Sequence, residues 1–353
     1  MNNSLRFILP FVLIIFFLIG CGAEQEAQSN ESDDRLSIYT TLYPLEFFAK
    51  EIGGSHVDVI SILPAGADPH TFEPTSKTMV DIATADAFIY NGADLEAYAE
   101  TIKSSLEDEP VLKIEASSGV ALLDHIHDHT EEGQEHEEVG EAHDHTEETH
   151  EHEESEEDHQ HTDDDSSSET DEHDGHDHGD LDPHLWLDPM RAVKLAENIK
   201  DTLVELKPEA KDEFEANFNE LQVRLEELDQ EFHNQLENQK RREILVTHAA
   251  YGYWESSYGI EQVAISGVSS TQEPSQKQLE KVINTVKEHD INYLLFEQNV
   301  EPKVASVIQN ETNVEALHIH NLSVLTDEDI DNEEDYFTLM NKNLEVLVTA
   351  LSE

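Results

Sequence analysis

The chain has 353 residues, enough for two modest domains, and carries 80 Asp and Glu against 20 Lys and Arg, a formal net charge of −60. That excess repels nucleic acid and anionic lipid headgroups and favours cationic ligands, so we expect no nucleic-acid partner. Because there is one cysteine, no internal disulfide can form, and the folded part must be held together by its apolar core.

The N-terminus predicts an export signal and a lipid anchor. Its apolar run, Phe7–Gly20, has 14 residues, whereas a membrane-spanning helix needs roughly 20. Residues 18–21 read LIGC, which resembles the bacterial lipobox, so we expect a signal peptide over 1–20, acylation of Cys21 and a flexible tether over 21–34. This places the protein outside the cell membrane, on the outer face of a Gram-positive cell. The alternative is an incidental thiol in an uncleaved anchor.

Short apolar strands and amphipathic helices alternate in the next segment, and we assign residues 35–207 to an N-terminal α/β lobe. Such alternation predicts a parallel sheet flanked by helices. The predicted strands are Leu36–Thr41, Val57–Leu63, Ala87–Tyr90, Val111–Ile114 and Val120–Leu123, and the predicted helices are Pro44–Ile52, Thr78–Thr84, Leu95–Leu106 and Met190–Leu206.

Residues 124–182 interrupt this lobe with 27 acidic side chains and no Lys or Arg. The segment lacks the aliphatic residues that a core requires, so we expect a disordered surface loop. It contains 13 histidines: His125, His127, His129, His136, His143, His145, His150, His152, His159, His161, His173, His176 and His178.

A helix about 45 Å long is predicted over 208–238, because apolar residues recur every three or four positions from Phe214 to Leu236. We interpret this helix as a strut between two lobes and expect a monomeric protein. The alternative is a coiled-coil dimer. Residues 239–353 repeat the α/β pattern as a C-terminal lobe. Its predicted strands are Ile244–Thr247, Val263–Ser266, Ile291–Phe296 and Ala316–His320, and its predicted helices are Gln278–Glu288, Val304–Asn310 and Tyr336–Leu351.

The fold class is therefore α/β, with two lobes that each contain a mainly parallel sheet flanked by helices, joined by one long rigid helix. Three histidines stand just after predicted strands or before helices: His70 in GADPHTFEP, His184 in LDPHLWLDP and His248 in LVTHAAYGYW. Ligand sites gather at the carboxyl ends of strands in such folds. Three neutral imidazoles at one point suit Zn²⁺, although each histidine alone could be an ordinary hydrogen-bonded loop residue.

Three motifs, DPHTFEPTSKTMVDIATADAFIYNGADLE, DPHLWLDP and VTHAAYGYW, resemble the metal-binding solute receptors of bacterial ABC transporters, in particular the zinc-importing ZnuA-type branch. QEPSQKQLEKV is also similar to that family, and the match runs from about Leu36 to the C-terminus outside the acidic run. The resemblance implies a metal site in the inter-lobe cleft, where His70, His184 and His248 bind the Zn²⁺ ion that the protein transports. It also implies an ABC permease and its ATPase as partners.

The fourth metal ligand is open. The resemblance implies a carboxylate after the last strand, but the matching residue here is Ser323, whose hydroxyl is a poor zinc ligand. Water is our preferred alternative, and His320, Asp327 and Glu328 are the other candidates. Glu297, in LLFEQN, matches an acidic residue of the family, and we expect it to be structural or to steady an imidazole N–H.

The histidine-rich loop lies between His70 and His184, as the resemblance implies for zinc receptors. We expect it to capture or store zinc near the cleft, and a dispensable solvated loop is the alternative.

Other functions also fit parts of the sequence. A receptor for manganese or another divalent metal is the first alternative. It is disfavoured because the manganese-importing branch that the resemblance also brings in typically has glutamate at the position of His248, and histidine there favours Zn²⁺. A zinc-dependent surface hydrolase would use three histidines with an open position, but no HExxH element is present, so we expect no enzyme. A surface adhesin or a passive metal buffer is the third alternative.

Overall fold

The computed structural model of the chain describes residues 34–123, 181–269, 274–298 and 303–352. The predicted signal peptide, Cys21, residues 21–33 of the tether and all thirteen histidines of the acidic run lie outside these residues. None of the helices in the described ranges combines the length and apolarity required to cross a bilayer.

The first lobe is built on a four-stranded parallel sheet in the order β2-β1-β3-β4. Its apolar strands are buried because helices cover them, and Ile38 of the central strand lies between Val59 and Ala87 with no exposed surface. The elements are β1 (Leu36–Thr40), α1 (Tyr43–Gly53), β2 (Val57–Ser61), α2 (Ser76–Ala83), β3 (Ala87–Tyr90), α3 (Ala97–Ser105), β4 (Leu112–Glu115) and α4 (Pro189–Leu206).

The second lobe repeats this strand order as β6-β5-β7-β8, again entirely parallel. In both sheets the order reverses beside the first strand, which creates the crevice where α/β folds bind ligands. The elements are β5 (Glu243–Val246), α6 (Gly252–Tyr258), β6 (Glu261–Ala264), α7 (Gln276–Glu288), β7 (Tyr293–Glu297), α8 (Lys303–Thr312), β8 (Glu315–Ile319), α9 (Asp327–Asp331) and α10 (Tyr336–Ser352).

One long helix, α5 (Lys211–Leu236), packs against α1 and α4 on one side of the molecule and against α6 and α10 on the other. Its 26 residues span about 39 Å. It begins three residues later than predicted, because Pro208–Ala210 form a 3₁₀ turn before it. The apolar positions that predicted the helix are all buried: Phe214, Phe218, Leu221, Leu225, Leu228, Phe232 and Leu236.

The two lobes share one apolar core. Buried residues of β1, α1, α4, α5, β5 and α10 form a continuous cluster, and a smaller cluster lies under α7 and α8 in the second lobe. The α/β class with two parallel sheets flanked by helices is confirmed by this arrangement.

Two sequence expectations fail locally. Val120–Leu123 is not a strand. Its described backbone bonds run to the Ser117 carbonyl, the Tyr253 hydroxyl, the Arg191 side chain and the Asp182 amide, so the segment is tied to loops and side chains and does not form a ladder with β4. The short helices α6 and α9 were not predicted. The second of them is marked by a capping box in which Thr326 and Asp329 bond reciprocally.

Candidate metal centre

The ends of strands from both sheets converge on one cavity between the lobes. His70 lies in the loop after β2, His248 lies two residues after β5, and Glu297 is the last residue of β7. His184 immediately precedes a 3₁₀ turn, Leu185–Leu187, that leads into α4. Parallel strands bring their carboxyl ends to one edge of a sheet, so both lobes direct their loops into the same cleft.

Three imidazoles meet in this cavity. One ring nitrogen from each of His70, His184 and His248 lies within 4.8 Å of the other two. Nε2 of His184 is 3.4 Å from Nε2 of His248. A tetrahedral Zn²⁺ with Zn–N bonds of 2.0–2.1 Å holds two nitrogens about 3.3–3.4 Å apart, so this pair is spaced for one ion. The structure thus brings together the three histidines that the sequence analysis selected.

The three imidazoles differ in exposure. His184 and His248 are 2% and 3% exposed, whereas His70 is half-buried at the mouth of the cavity. Burial and a bonded carboxylate restrict the rings of His184 and His248. This inner pair is therefore the more rigid part of the centre. The outer imidazole of His70 lies where an ion would enter.

The repeated Asp-Pro-His sequence forms the same turn twice. Asp68 Oδ1 accepts the His70 amide at 2.9 Å, and Asp182 Oδ1 accepts the His184 amide at 3.0 Å. A carboxylate that caps the backbone two residues ahead closes an Asx turn, and the proline between them fixes φ. Each histidine is therefore carried on a stiff, preformed turn.

Asp182 also orients the ring of His184. Its Oδ1 lies 2.8 Å from Nδ1 of that imidazole, and both side chains are buried. A carboxylate at Nδ1 favours the tautomer that carries its proton there, which leaves the Nε2 lone pair free for a metal. Asp68 and Asp182 were not predicted to support the ligands, although the spacing Asp-x-His in both motifs was a signal for them.

Glu297 holds His248 in the same way. Its Oε1 contacts His248 Nδ1, and its Oε2 accepts Asn321 Nδ2 at 2.6 Å. Burial by itself lowers the pKa of His248, but the Glu297 carboxylate raises it, and the net shift is upward. Burial raises the pKa of Glu297, but the adjacent imidazole lowers it by more than burial raises it, so the net shift is downward. Glu297 therefore favours the protonated form of His248, and a cation that binds this ring must compete with that proton.

Of the residues considered as a fourth ligand, Ser323 lines the cavity of the three imidazoles and the other three do not. Ser323 lines the cavity, but its hydroxyl donates to Asn321 Oδ1 at 2.8 Å. Both ring nitrogens of His320 are engaged, Nδ1 by the Leu322 amide and Nε2 by the Asp329 carboxylate. The remaining two candidates, Asp327 and Glu328, are exposed on α9.

Aromatic hydrogen bonds fasten the His184 segment to the second lobe. Trp186 Nε1 donates to the Asn321 carbonyl at 2.7 Å, and Tyr336 Oη donates to the Trp186 carbonyl at 2.7 Å. Trp254 Nε1 donates to the Leu187 carbonyl at 2.6 Å. These donors are buried, so breaking them would leave unpaired polar groups at a cost of about 1–3 kcal/mol each. The inner half of the centre is held across both lobes.

The arrangement can bind a divalent cation. Three nitrogen donors point inward, while Asp68, Asp182 and Glu297 supply negative charge around them. Carboxylates behind imidazole ligands raise ligand basicity and fix ring orientation. The donor set suits Zn²⁺, which accepts imidazole readily and tolerates an open fourth position.

Comparison with known proteins shows that the chain is similar to zinc-binding and zinc-uptake proteins. The chain matches the family described as "Zinc-uptake complex component A periplasmic" (ZnuA) over residues 38–350. It is 34% identical over 327 residues to zinc-binding protein AdcA of Streptococcus pyogenes serotype M3, covering 91% of this chain and 57% of that protein. It is 30% identical over 344 residues to the high-affinity zinc uptake system protein ZnuA of Bacillus subtilis strain 168, covering 97% and 96%.

A solved structure has a similar fold. The Zn(II)-bound ZnuA-like domain of Streptococcus pneumoniae AdcA superposes with a TM-score of 0.67 at 29% identity, covering 90% of this chain and 100% of that domain. The chain spans only about 57% of the length of the streptococcal AdcA proteins that it matches.

Proposed function

Because the chain belongs to the ZnuA family of zinc-uptake components, we propose that it is an extracytoplasmic receptor that binds Zn²⁺ and delivers it to an ABC permease. The metal would be held by His70, His184 and His248. The observation that carries this proposal is the convergence of three imidazoles in one inter-lobe cavity, the inner two backed by buried carboxylates.

The donor set favours zinc over manganese. Mn²⁺ prefers oxygen ligands and stands at the weak end of the Irving–Williams series, whereas three imidazoles suit Zn²⁺. His248 carries this argument, because it supplies a third imidazole at the position where the resemblance implies a glutamate in manganese receptors. Cu²⁺ and Ni²⁺ also accept imidazole, so the physiological choice of zinc rests partly on metal supply.

Water is our proposal for the fourth ligand. Ser323 and Asn321 line the cavity as neutral side chains that bond to each other, and the Glu297 carboxylate beside them is bonded to His248 and Asn321. Zn²⁺ with three protein ligands commonly completes its shell with water.

Catalysis is not part of the proposed function. The family match is to an uptake component, in agreement with the prediction that the chain is not an enzyme. A hydrolytic zinc centre needs a general base beside the bound water. Here Asp182 and Glu297 are each engaged with an imidazole, which leaves them positioned to hold ligands.

The partners and location follow from the same proposal. The receptor would be monomeric, anchored through a lipid on Cys21 to the outer face of a Gram-positive membrane, and would dock on a permease that is coupled to an ATPase. Residues 35–207 and 239–353 would form its lobes and 208–238 their link. The histidine-rich run within 124–182 would capture zinc near the cleft.

A metal-binding and uptake experiment tests this function. Full-length protein is stripped with a chelator and titrated with Zn²⁺ against a chromophoric competitor, so that only tight sites register. We expect one tight equivalent per chain, and competition by Mn²⁺ weaker by roughly 100-fold or more. Uptake of radioactive zinc is then measured in cells that lack the chain and are supplied with wild type or His184→Ala.

Wild type should restore uptake under zinc limitation and His184→Ala should not. Equal affinity for Mn²⁺ and Zn²⁺ would overturn the metal assignment. Full restoration of uptake by the variant would overturn the role of the cavity in transport.

A further inference from the structure

A buried carboxylate stands behind the metal centre in the first lobe. Glu96, just before α3, is 4% exposed. Its Oε1 accepts Thr41 Oγ1 at 2.6 Å and the Asn91 amide at 2.8 Å, and its Oε2 accepts the Gly92 amide at 3.0 Å. Burial raises the pKa of this carboxyl to about 7. Burying an ionisable group this fully is costly, and the described contacts offer it no cation in return.

The three donors come from the switch point of the first sheet. Thr41 follows β1 and Asn91 follows β3, the two strands between which the strand order reverses. In the second lobe the equivalent strands, β5 and β7, lead to His248 and Glu297. Glu96 thus binds the loops at the switch point of the first sheet, and His248 and Glu297 lie at the corresponding point of the second sheet.

The loop that Glu96 holds is strained. Gly92, Ala93 and Asp94 have φ values of 83°, 52° and 58°, three successive residues in the left-handed region. Non-glycine residues pay about 1–2 kcal/mol each for that conformation. The carboxylate at the end of the loop accepts the amides at its beginning, which compensates this cost and fixes the path of the chain.

Asn91 connects this loop to the metal centre. Its Nδ2 donates to the Pro183 carbonyl at 3.0 Å, and that carbonyl belongs to the peptide that joins Pro183 to His184. Asn91 is 0% exposed, and its Nδ2 also donates to the Gly92 carbonyl at 3.1 Å, so its side chain has little freedom. Two hydrogen bonds therefore lead from the Glu96 carboxylate to the backbone of a proposed metal ligand.

We propose that Glu96 is a positioning residue for the metal centre: through Asn91 it sets the backbone that carries His184, and thereby the affinity and geometry of the bound ion. This rests on the proposed function, because it concerns the same cavity. Asp182 orients the imidazole from its ring side, and the Glu96–Asn91 pair holds the same turn from its carbonyl side.

The test compares Glu96→Gln with Glu100→Gln in the full-length protein. Each Glu96 oxygen accepts a backbone amide, Oε1 from Asn91 and Oε2 from Gly92, so in either orientation the glutamine NH₂ opposes an N–H donor. Glu100 lies on α3 with its side chain 75% exposed and paired to Lys103, so it controls for the loss of one charge on that helix. Asn91→Ala removes only the side-chain bonds and leaves the backbone amide bound to Glu96.

Two measurements are made on each variant. Zinc affinity is determined by chelator competition, and the visible absorption of bound Co²⁺ reports the coordination geometry. We expect Glu96→Gln and Asn91→Ala each to weaken zinc binding by about tenfold and to alter the Co²⁺ spectrum. The double variant should be little weaker than either single variant, because both break one path. Glu100→Gln should match wild type in both measurements.

Wild-type affinity and an unchanged Co²⁺ spectrum in a folded Glu96→Gln or Asn91→Ala protein would overturn the proposal. Effects that simply add in the double variant would also overturn it, because they would mean that the two residues act separately. If Glu96→Gln does not fold, the Asn91→Ala result decides. Failure of wild type itself to bind zinc would instead refute the proposed function.

Discussion

Replacing His70 with alanine is expected to weaken zinc binding by about 100-fold or more, because it removes one of three nitrogen ligands from the ion. The imidazole is half-buried at the cavity mouth, so its loss should change the free energy of unfolding of the zinc-free protein by no more than about 1 kcal/mol. Affinity and folding are thus separable at this position. His248 is less suitable, because its removal would leave the buried Glu297 carboxylate unpaired.

The measurement is chelator competition together with thermal or urea unfolding at fixed free zinc. At a zinc concentration of 1,000 times the wild-type Kd, binding stabilises the wild type by about 4 kcal/mol, and a 100-fold weaker variant should retain about 1.4 kcal/mol of that. His318→Ala, at an exposed histidine on β8, is the control and should behave as wild type. Wild-type zinc stabilisation in His70→Ala would show that the ion binds without this ligand.

The second large effect is expected from Glu297→Gln, which should weaken zinc binding by about 10- to 100-fold near pH 8 and change its pH dependence. In the zinc-free protein the carboxylate raises the pKa of His248, so protons compete with zinc up to a higher pH. Without that charge, burial is the largest remaining influence on the pKa of the imidazole and lowers it, while Asp68 and Asp182 raise it to a smaller extent. The fall in affinity on acidification should therefore begin at a lower pH in the variant.

The ratio of variant to wild-type Kd is the quantity to measure, between about pH 5 and pH 8. It should be largest at pH 8 and shrink as the pH falls, because only wild type then loses affinity to the raised pKa of His248. The control is Glu243→Gln. Glu243 is the first residue of β5, and its carboxylate is paired with the exposed His289. A constant ratio over this range would contradict the role assigned to the Glu297–His248 pair.

Long periodic signals in the sequence predicted the structure well. The recurring apolar residues from Phe214 to Leu236 mark a helix because each is buried along one stripe between the lobes. Strand β3 was predicted at its observed bounds, since a four-residue apolar run between Asp86 and Asn91 is typical of a strand buried on both faces of a parallel sheet. Val120–Leu123 is apolar for another reason: it packs on the core as an irregular segment, which periodicity cannot distinguish from a strand.

The metal ligands of the candidate site could be predicted from the sequence, but most of the residues that position those ligands could not. His70, His184 and His248 stand in short motifs with turn residues, so sequence alone selected them. Asp182 was within reach of the same reasoning, because a residue two positions before a ligand can cap it. The link from Glu96 through Asn91 to Pro183 could not be predicted. It joins positions 87 residues apart through a loop with three positive φ angles. Such contacts depend on tertiary placement of the backbone, which local patterns do not encode.

The central claim is that one ion is held by three imidazoles from both lobes, and a crystal structure of the chain with one equivalent of zinc tests it most directly. Anomalous differences collected on both sides of the zinc edge locate the metal without reference to its ligands. We predict a single strong peak in the inter-lobe cavity, 2.0–2.1 Å from a ring nitrogen of each of His70, His184 and His248. A peak elsewhere, or one that only two of these histidines reach, would contradict it.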